Sequence, residues 1–290
     1  DHAEARATHL DVGGAGTVTL SLMLAVYAIV NGNEAGWLAP QTTGLLFAAA
    51  ILFASFLVIE SRVGAPLVPL RIFRLRNLAT SNVIGVLWAA AMFAWFFISA
   101  LYMQIVLNYS PMQVGLAFLP ANLIMAAFSL GLSAKIVMRF GNKPPIAVGM
   151  SSVAIGLALF SFSPVDGGFL LHVLPGMILL GLGAGMALNP MLLAAMGDMQ
   201  PSESGLASGV VNTAFMMGGA LGLAILASVA TLRTEGLLAA GATQPIALTG
   251  GYQLAFLIGA VFAAVAALAA VRLRASAVPE AASANAEKAA

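Results

Sequence analysis

Eight stretches of 18 or more predominantly apolar residues succeed one another along this chain, and they limit its fold more than any other feature. They are Val12 to Val30, Thr42 to Ile59, Ala79 to Val106, Val114 to Val137, Pro145 to Phe162, Leu170 to Leu193, Gly205 to Ala230 and Tyr252 to Val271. A helix rises about 1.5 Å per residue, so about 20 apolar residues cross the hydrocarbon core of a bilayer. Backbone groups in lipid must be satisfied internally, which leaves helices or a closed barrel, and a barrel would show short alternating segments instead. The residues are 61% hydrophobic and 8% charged, where a soluble globule carries about a quarter charged. The fold class is therefore read as an all-α membrane protein with eight transmembrane helices.

The gaps carry turn chemistry: NGNEAGW, SRVGAPLVPLRIFRLRN, NYSPMQ, MRFGNKP, SPVDGG, MGDMQPSE and a longer loop, TLRTEGLLAAGATQPIALTGG. In MGDMQPSES, Asp198, Pro201 and Glu203 mark a helix start, where acids complement the helix dipole. Lys and Arg concentrate in cytoplasmic loops. Placing Asp1 inside puts Arg6, Arg62, Arg71, Arg74, Arg76, Lys135, Arg139, Lys143, Arg272, Arg274 and Lys288 on the cytoplasmic side, all of the 12 basic residues but Arg233. A missed or invented span would destroy that asymmetry, so both termini are expected to be cytoplasmic. The tail ASAVPEAASANAEKAA has nothing to pack and is expected to be disordered.

Inside lipid, helices associate through close backbone approach and interhelical hydrogen bonds, which favour small residues. Gly205 and Gly209 form one GxxxG pair and Gly218 and Gly222 another. At 100° per residue Gly205, Ser208, Gly209 and Asn212 share one face, while Ala207, Ala214, Gly218 and Gly222 lie roughly opposite. Gly181 and Gly185 give the preceding helix a third such surface. These surfaces serve either static packing or sliding during a conformational change.

Chemistry is scarce. The 3 histidines, His2, His9 and His172, lie beyond helical reach of one another, and HExxH, Walker and GxSxG sequences are absent. The chain is read as no enzyme and is assigned no cofactor and no metal. A net charge of +1 offers no footprint for nucleic acid, and with 0 cysteines there is no disulfide or thiolate site. Every carboxylate falls at a span end or in a loop, so proton coupling would need an acid elsewhere. Within the spans stand Asn82, Ser99, Tyr102, Gln104, Asn122, Ser129, Asn189 and Asn212, accompanied by the aromatics of WAAAMFAWFFISALYMQ and by Met125, Phe128, Phe215, Met216 and Met217. Such residues either line an adaptable apolar cavity or serve lipid contact and interhelical hydrogen bonding. Pro120 and Pro190 fall inside spans and are expected to bend them.

Several local patterns resemble the major facilitator superfamily, in its fourteen-spanner drug/proton antiporter branch of the EmrB/QacA type. They are Gly36-Trp37; Glu60, Arg62, Pro66-Leu67, Leu70 and Phe73; Tyr102-Met103-Gln104 with Ser110-Pro111, Gly115 and Leu119-Pro120; and Gly181, Gly183, Gly185 with Pro190. Gly205, Ser208-Gly209, Asn212-Thr213, Gly218-Gly219 and Gly222 are the most specific, and the whole set covers Leu10 to Arg274. The resemblance implies a central helix pair with a cytoplasmic linker over residues 1–78, a C-terminal six-helix transporter bundle over 79–274 and a tail over 275–290. It implies a bacterial inner-membrane exporter of a small amphipathic substrate, coupled to protons through an N-terminal half that this chain, starting at Asp1, is expected to lack. The loop AKIVMRFGNKPP is similar to the family's cytoplasmic basic loop at Arg139, Gly141 and Lys143, but Ala134, Met138 and Asn142 stand where Gly, Asp and a further base are usual. Without the acid the loop cannot form the family's charge pair there, and it is read as positive-inside anchoring. By resemblance the third, fourth, sixth and seventh spans line a cavity, with Trp95, Gln104, Asn122, Asn189 and Asn212 as candidate substrate contacts. The rival expectations are a non-transporting membrane scaffold or accessory subunit, and a symporter or uniporter on the same fold.

Overall fold

The computed structural model describes residues 11–63, 66, 72, 74–197 and 204–273. Expectations for residues 1–10, for His2 and His9, for the helix start at Asp198, Pro201 and Glu203, and for the tail fall outside the described residues. Among those described, eight segments are helical, long and apolar enough to cross a membrane. They divide into two compact units between Arg74 and Leu75.

The first unit is a helical hairpin of α1 (Val12–Ala35) and α2 (Pro40–Arg62). Asp11 caps α1 by accepting from the Gly14 N–H at 2.7 Å, which satisfies one of the orphan donors of the first turn. The buried residues of α1 are Gly14, Ser21, Ala28 and Gly32, and those of α2 are Thr42, Ala49, Phe56 and Glu60. Both series step mostly by seven, two helical turns, so one seam on each helix meets the other. Ser21 donates to the Ala49 carbonyl at 2.8 Å across that seam, the kind of polar tie that replaces the hydrophobic effect between helices in lipid. The remaining faces, including Leu20, Met23, Phe47 and Ile51, are exposed, as lipid-facing residues should be.

The second unit is built around α3 (Arg76–Leu101), which runs on through a π-helical turn, Tyr102–Val106. The fourth span is α4 (Pro111–Ala127), a π turn at Phe128–Leu132 and α5 (Ser133–Phe140). There follow α6 (Lys143–Phe160), α7 (Leu174–Met196) entered by a further π turn, α8 (Ser204–Ala239) and α9 (Gln244–Ala270). α3 is the most buried span and packs against α7, α8 and α9, while α6 packs against α7 and α9, and α4 against α7. The start of α4 is fixed by a capping box: Gln113 Oε1 accepts from the Ser110 N–H at 2.8 Å, and Ser110 Oγ from the Gln113 N–H at 3.4 Å.

Glycine lets these helices approach to backbone contact. A Cβ on Gly218 would lie 2.7 Å from the Val86 Cα, and one on Gly222 would collide with Ala90. On α7, a Cβ at Gly181 would meet the Ala121 Cα at 2.8 Å and one at Gly185 the Phe128 Cβ at 2.7 Å. Gly205 and Gly209 have nothing within 4 Å of such an atom. A contact that the sequence reading did not single out joins α6 to α7: a Cβ on Gly149 would lie 2.8 Å from the Gly183 carbonyl, and one on Gly156 3.1 Å from the Gly176 carbonyl. Both pairs are seven apart, so antiparallel helices bring them together in one step.

Two expectations need correction. The loop placed at Thr231 to Gly251 is mostly helix: α8 continues to Ala239 and α9 begins at Gln244. The segment was read as turn chemistry, yet nothing before Ala240 breaks the helix. The reversal is confined to a left-handed glycine, Gly241 at φ 87°, with Pro245 in the first turn of α9. Gly251 therefore belongs to a seam, where a Cβ would strike Thr234 and the Ala230 carbonyl. The fourth span is likewise not one continuous helix, because Gly131 sits at φ 133° in its π turn, a conformation open mainly to glycine.

Gly183→Ala should lower the thermal midpoint of the purified protein by several degrees, since overpacking typically costs about 1–3 kcal/mol. Gly236→Ala, whose added Cβ meets nothing within 4 Å, should leave it unchanged or raise it slightly by restricting the unfolded chain. Equal midpoints for the two variants would contradict the close α6–α7 seam.

Candidate functional site

Four helices of the second unit, α3, α4, α7 and α8, surround a cavity of about 360 Å³. α3 contributes Trp88, Met92, Phe93 and Phe96, and α8 contributes Val211, Asn212, Phe215 and Met216. The opposite wall is Met125 of α4 with Ala184, Leu188, Met191 and Leu192 of α7. On α3, α7 and α8 the lining residues are neighbours or stand three or four apart, so each of these helices gives one face.

Aromatic geometry shapes the inner wall. The Phe215 ring meets Trp88 at 5.3 Å and 69° and Phe93 at 5.9 Å and 81°, both edge-to-face arrangements favoured by the ring quadrupoles. Trp88 is 3% exposed, and its buried Nε1–H has no acceptor. A buried unpaired donor costs about 1–3 kcal/mol, a loss built into this wall. The four methionines, Met92, Met125, Met191 and Met216, supply flexible, polarisable surface that refills around differently shaped contents. No charged side chain is among the lining residues, and Asn212 is the only amide. Such a cavity holds apolar bodies by contact area and offers no nucleophile or general base.

The candidate contacts are distributed unevenly. Asn212 lines the cavity and is exposed. Trp95 stands behind the wall at 1% exposure, its ring 4.4 Å from Phe96, 5.5 Å from Phe118 and 6.4 Å from Phe160. Gln104 is exposed in the π turn after α3, Asn122 is exposed on α4, and Asn189 is half-buried on α7. None of these four is among the lining residues. As the sixth span, α7 was expected to line the cavity, but its lining residues Ala184, Leu188, Met191 and Leu192 were not singled out, because among apolar neighbours only their spacing marks them.

In the basic loop, Arg139 is exposed with its guanidinium carbon 5.3 Å from the Phe140 ring centre, a cation–π distance. Gly141 ends α5 at φ 75° and donates its N–H to the Val137 carbonyl at 2.7 Å, so this glycine is required by the turn. Lys143 opens α6 and is half-buried.

The family model of the Major Facilitator Superfamily matches residues 12–223. The puromycin resistance protein pur8 of Streptomyces alboniger is 33% identical over 265 residues, covering 91% of this chain and 52% of that protein. The cephamycin export protein CmcT of Amycolatopsis lactamdurans is 32% identical over 255 residues, covering 87% and 51%. A lincomycin resistance protein of Streptomyces lincolnensis is 33% identical over 220 residues, covering 76% and 45%. The chain is thus an integral membrane protein that belongs to the Major Facilitator Superfamily, a family of transporters rather than enzymes. It spans about half the length of the curated relatives it matches.

Trp95 and Phe215 separate support from lining. Trp95→Ala should lower the thermal midpoint strongly, because emptying a fully packed aromatic site costs about 3–5 kcal/mol. Phe215→Ala enlarges a space already open and should lower the midpoint by less than half as much. Equal losses would contradict the open cavity at Phe215.

Proposed function

We propose that this chain is the C-terminal part of a proton-coupled exporter of small amphipathic molecules, in the fourteen-span drug/proton antiporter branch of its family. The observation that carries the reading is the cavity between α3, α4, α7 and α8, walled by aromatic and methionine side chains, free of charge and bordered by exposed Phe96, Asn212 and Met216. The names of the relatives, which speak of resistance or export for puromycin, cephamycin and lincomycin, support cargo of that size and character. Coverage of only about half of those proteins supports a further bundle in the whole protein. That bundle would cover the open face of Gly205, Gly209 and Asn212 and carry the carboxylate for proton coupling.

In this arrangement residues 1–78 form the linker and central helix pair, 79–274 the transporter bundle and 275–290 a cytoplasmic tail, with both termini in the cytoplasm. Asn212 orients substrate from within the wall. Gln104, Asn122 and Asn189 approach it as the two bundles rock, and Trp95 holds Phe96 in place. Gly181, Gly185, Gly218 and Gly222 keep the bundle rigid during that motion, and Arg139 and Lys143 anchor its cytoplasmic end. Alternating access about a midplane site is the mechanism such paired bundles use.

The test is efflux from proteoliposomes holding the full-length protein under an imposed pH gradient, with puromycin as first cargo. Phe215→Ala and Asn212→Ala should each cut gradient-driven efflux about tenfold, equivalent to about 1.4 kcal/mol of lost interaction, while Leu170→Ala, at an exposed position away from the cavity, should not. Efflux that ignores the pH gradient, or is unchanged in both cavity variants for every amphipathic cargo tried, would overturn the proposal.

A further inference from the structure

A second cavity, of about 330 Å³, lies between α3, α8 and α9 and shares no lining residue with the first. Phe97 and Leu101 line it from α3, Thr234 and Glu235 from α8, and Leu248 and Tyr252 from α9. Phe96 faces the first cavity and Phe97 the second, as a 100° step per residue requires. The cavity exists because α8 and α9 continue as helices to the turn at residues 240–243, beside which Glu235 and Leu248 lie.

The one charge in its lining is negative, and Thr231, Thr234 and Tyr252 add hydroxyls. Glu235 is the only charged side chain in either lining, is exposed and has no ion pair among the described residues. Arg233 is two positions away, 200° round the helix, and is not in the lining. Thr234 spends its hydroxyl proton on the Ala230 carbonyl at 2.8 Å, so only lone pairs remain to offer. Phe97 and Tyr252 add aromatic rings, a side-chain type that attracts cations through its face. A single carboxylate, hydroxyls and aromatic rings among apolar residues, in a volume at the small end of about 300–1,000 Å³ for ligand clefts, form a complement to one ligand chemistry.

We infer that this cavity is a binding site for a small organic cation with an aromatic or apolar body, separate from the transport cavity. Glu235 holds the charged head, and Phe97, Leu101, Leu248 and Tyr252 hold the body. A neutral molecule of the same shape loses the Glu235 contact and binds more weakly.

The chain has 0 cysteines, so Thr231→Cys, at another lining position, gives a single reporter within it. The purified protein is labelled with a maleimide in the presence of phenyltrimethylammonium or its neutral isostere tert-butylbenzene. The expected result is labelling slowed about tenfold by the cation and much less by the isostere, with the cation's protection lost in Glu235→Gln and kept in Phe215→Ala. An unchanged labelling rate without ligand shows that Glu235→Gln is folded. Equal protection by cation and isostere, protection that survives Glu235→Gln, or none at all overturns the inference. Loss only in Phe215→Ala would assign the cation to the first cavity and also overturn it. Because Phe215 and Glu235 line different cavities, failure here leaves the export proposal to its own test.

Discussion

Backbone-to-backbone approach at glycine is the constraint on which the second unit depends. Lipid tails are as apolar as leucine, so burying large side chains between helices brings little advantage, and contact area must come from closeness. Gly149 and Gly156 against Gly183 and Gly176, and Gly218 and Gly222 against Val86 and Ala90, place helices where any side chain would collide. These seams fix α6 to α7 and α8 to α3. Large side chains are then free to be used elsewhere, and the aromatic and methionine residues of α3 and α8 collect around the cavity.

The same economy explains the character of that cavity. With no charge in its lining and Asn212 as its only amide, it discriminates by shape and apolar area, which supports a range of amphipathic contents rather than one. Trp88, packed edge-to-face with Phe215, keeps a buried Nε1–H without an acceptor in the wall. No carboxylate lines this cavity, and Glu235 carries its charge into the separate space beside the α8–α9 turn.

The eight spans were legible because length and apolarity set them, and the superfamily the motifs resembled is the one whose model matches residues 12–223. What stayed hidden depends on which neighbour each face meets. The glycines of α6 and α7 repeat every seven residues in the sequence, but only the antiparallel packing pairs them. Gln104 and Asn122 stood out as amides in apolar runs, yet they lie outside the lining, while Leu188 and Leu192 of the wall look like any other leucine. The end of α8 was misread because TLRTEGLLAAGATQPIALTGG was taken whole as turn chemistry, although a helix of 36 residues, about 54 Å long, exceeds the hydrocarbon thickness and can carry charges beyond it.

The most direct test of the central claim is to map where cargo touches the protein. A photoactivatable aryl-azide derivative of puromycin, cross-linked to the full-length protein in membranes and located by mass spectrometry, should mark Trp88, Phe215 and Met216. Adducts confined to α1, α2 or α6, with none on α3 or α8, would contradict the account.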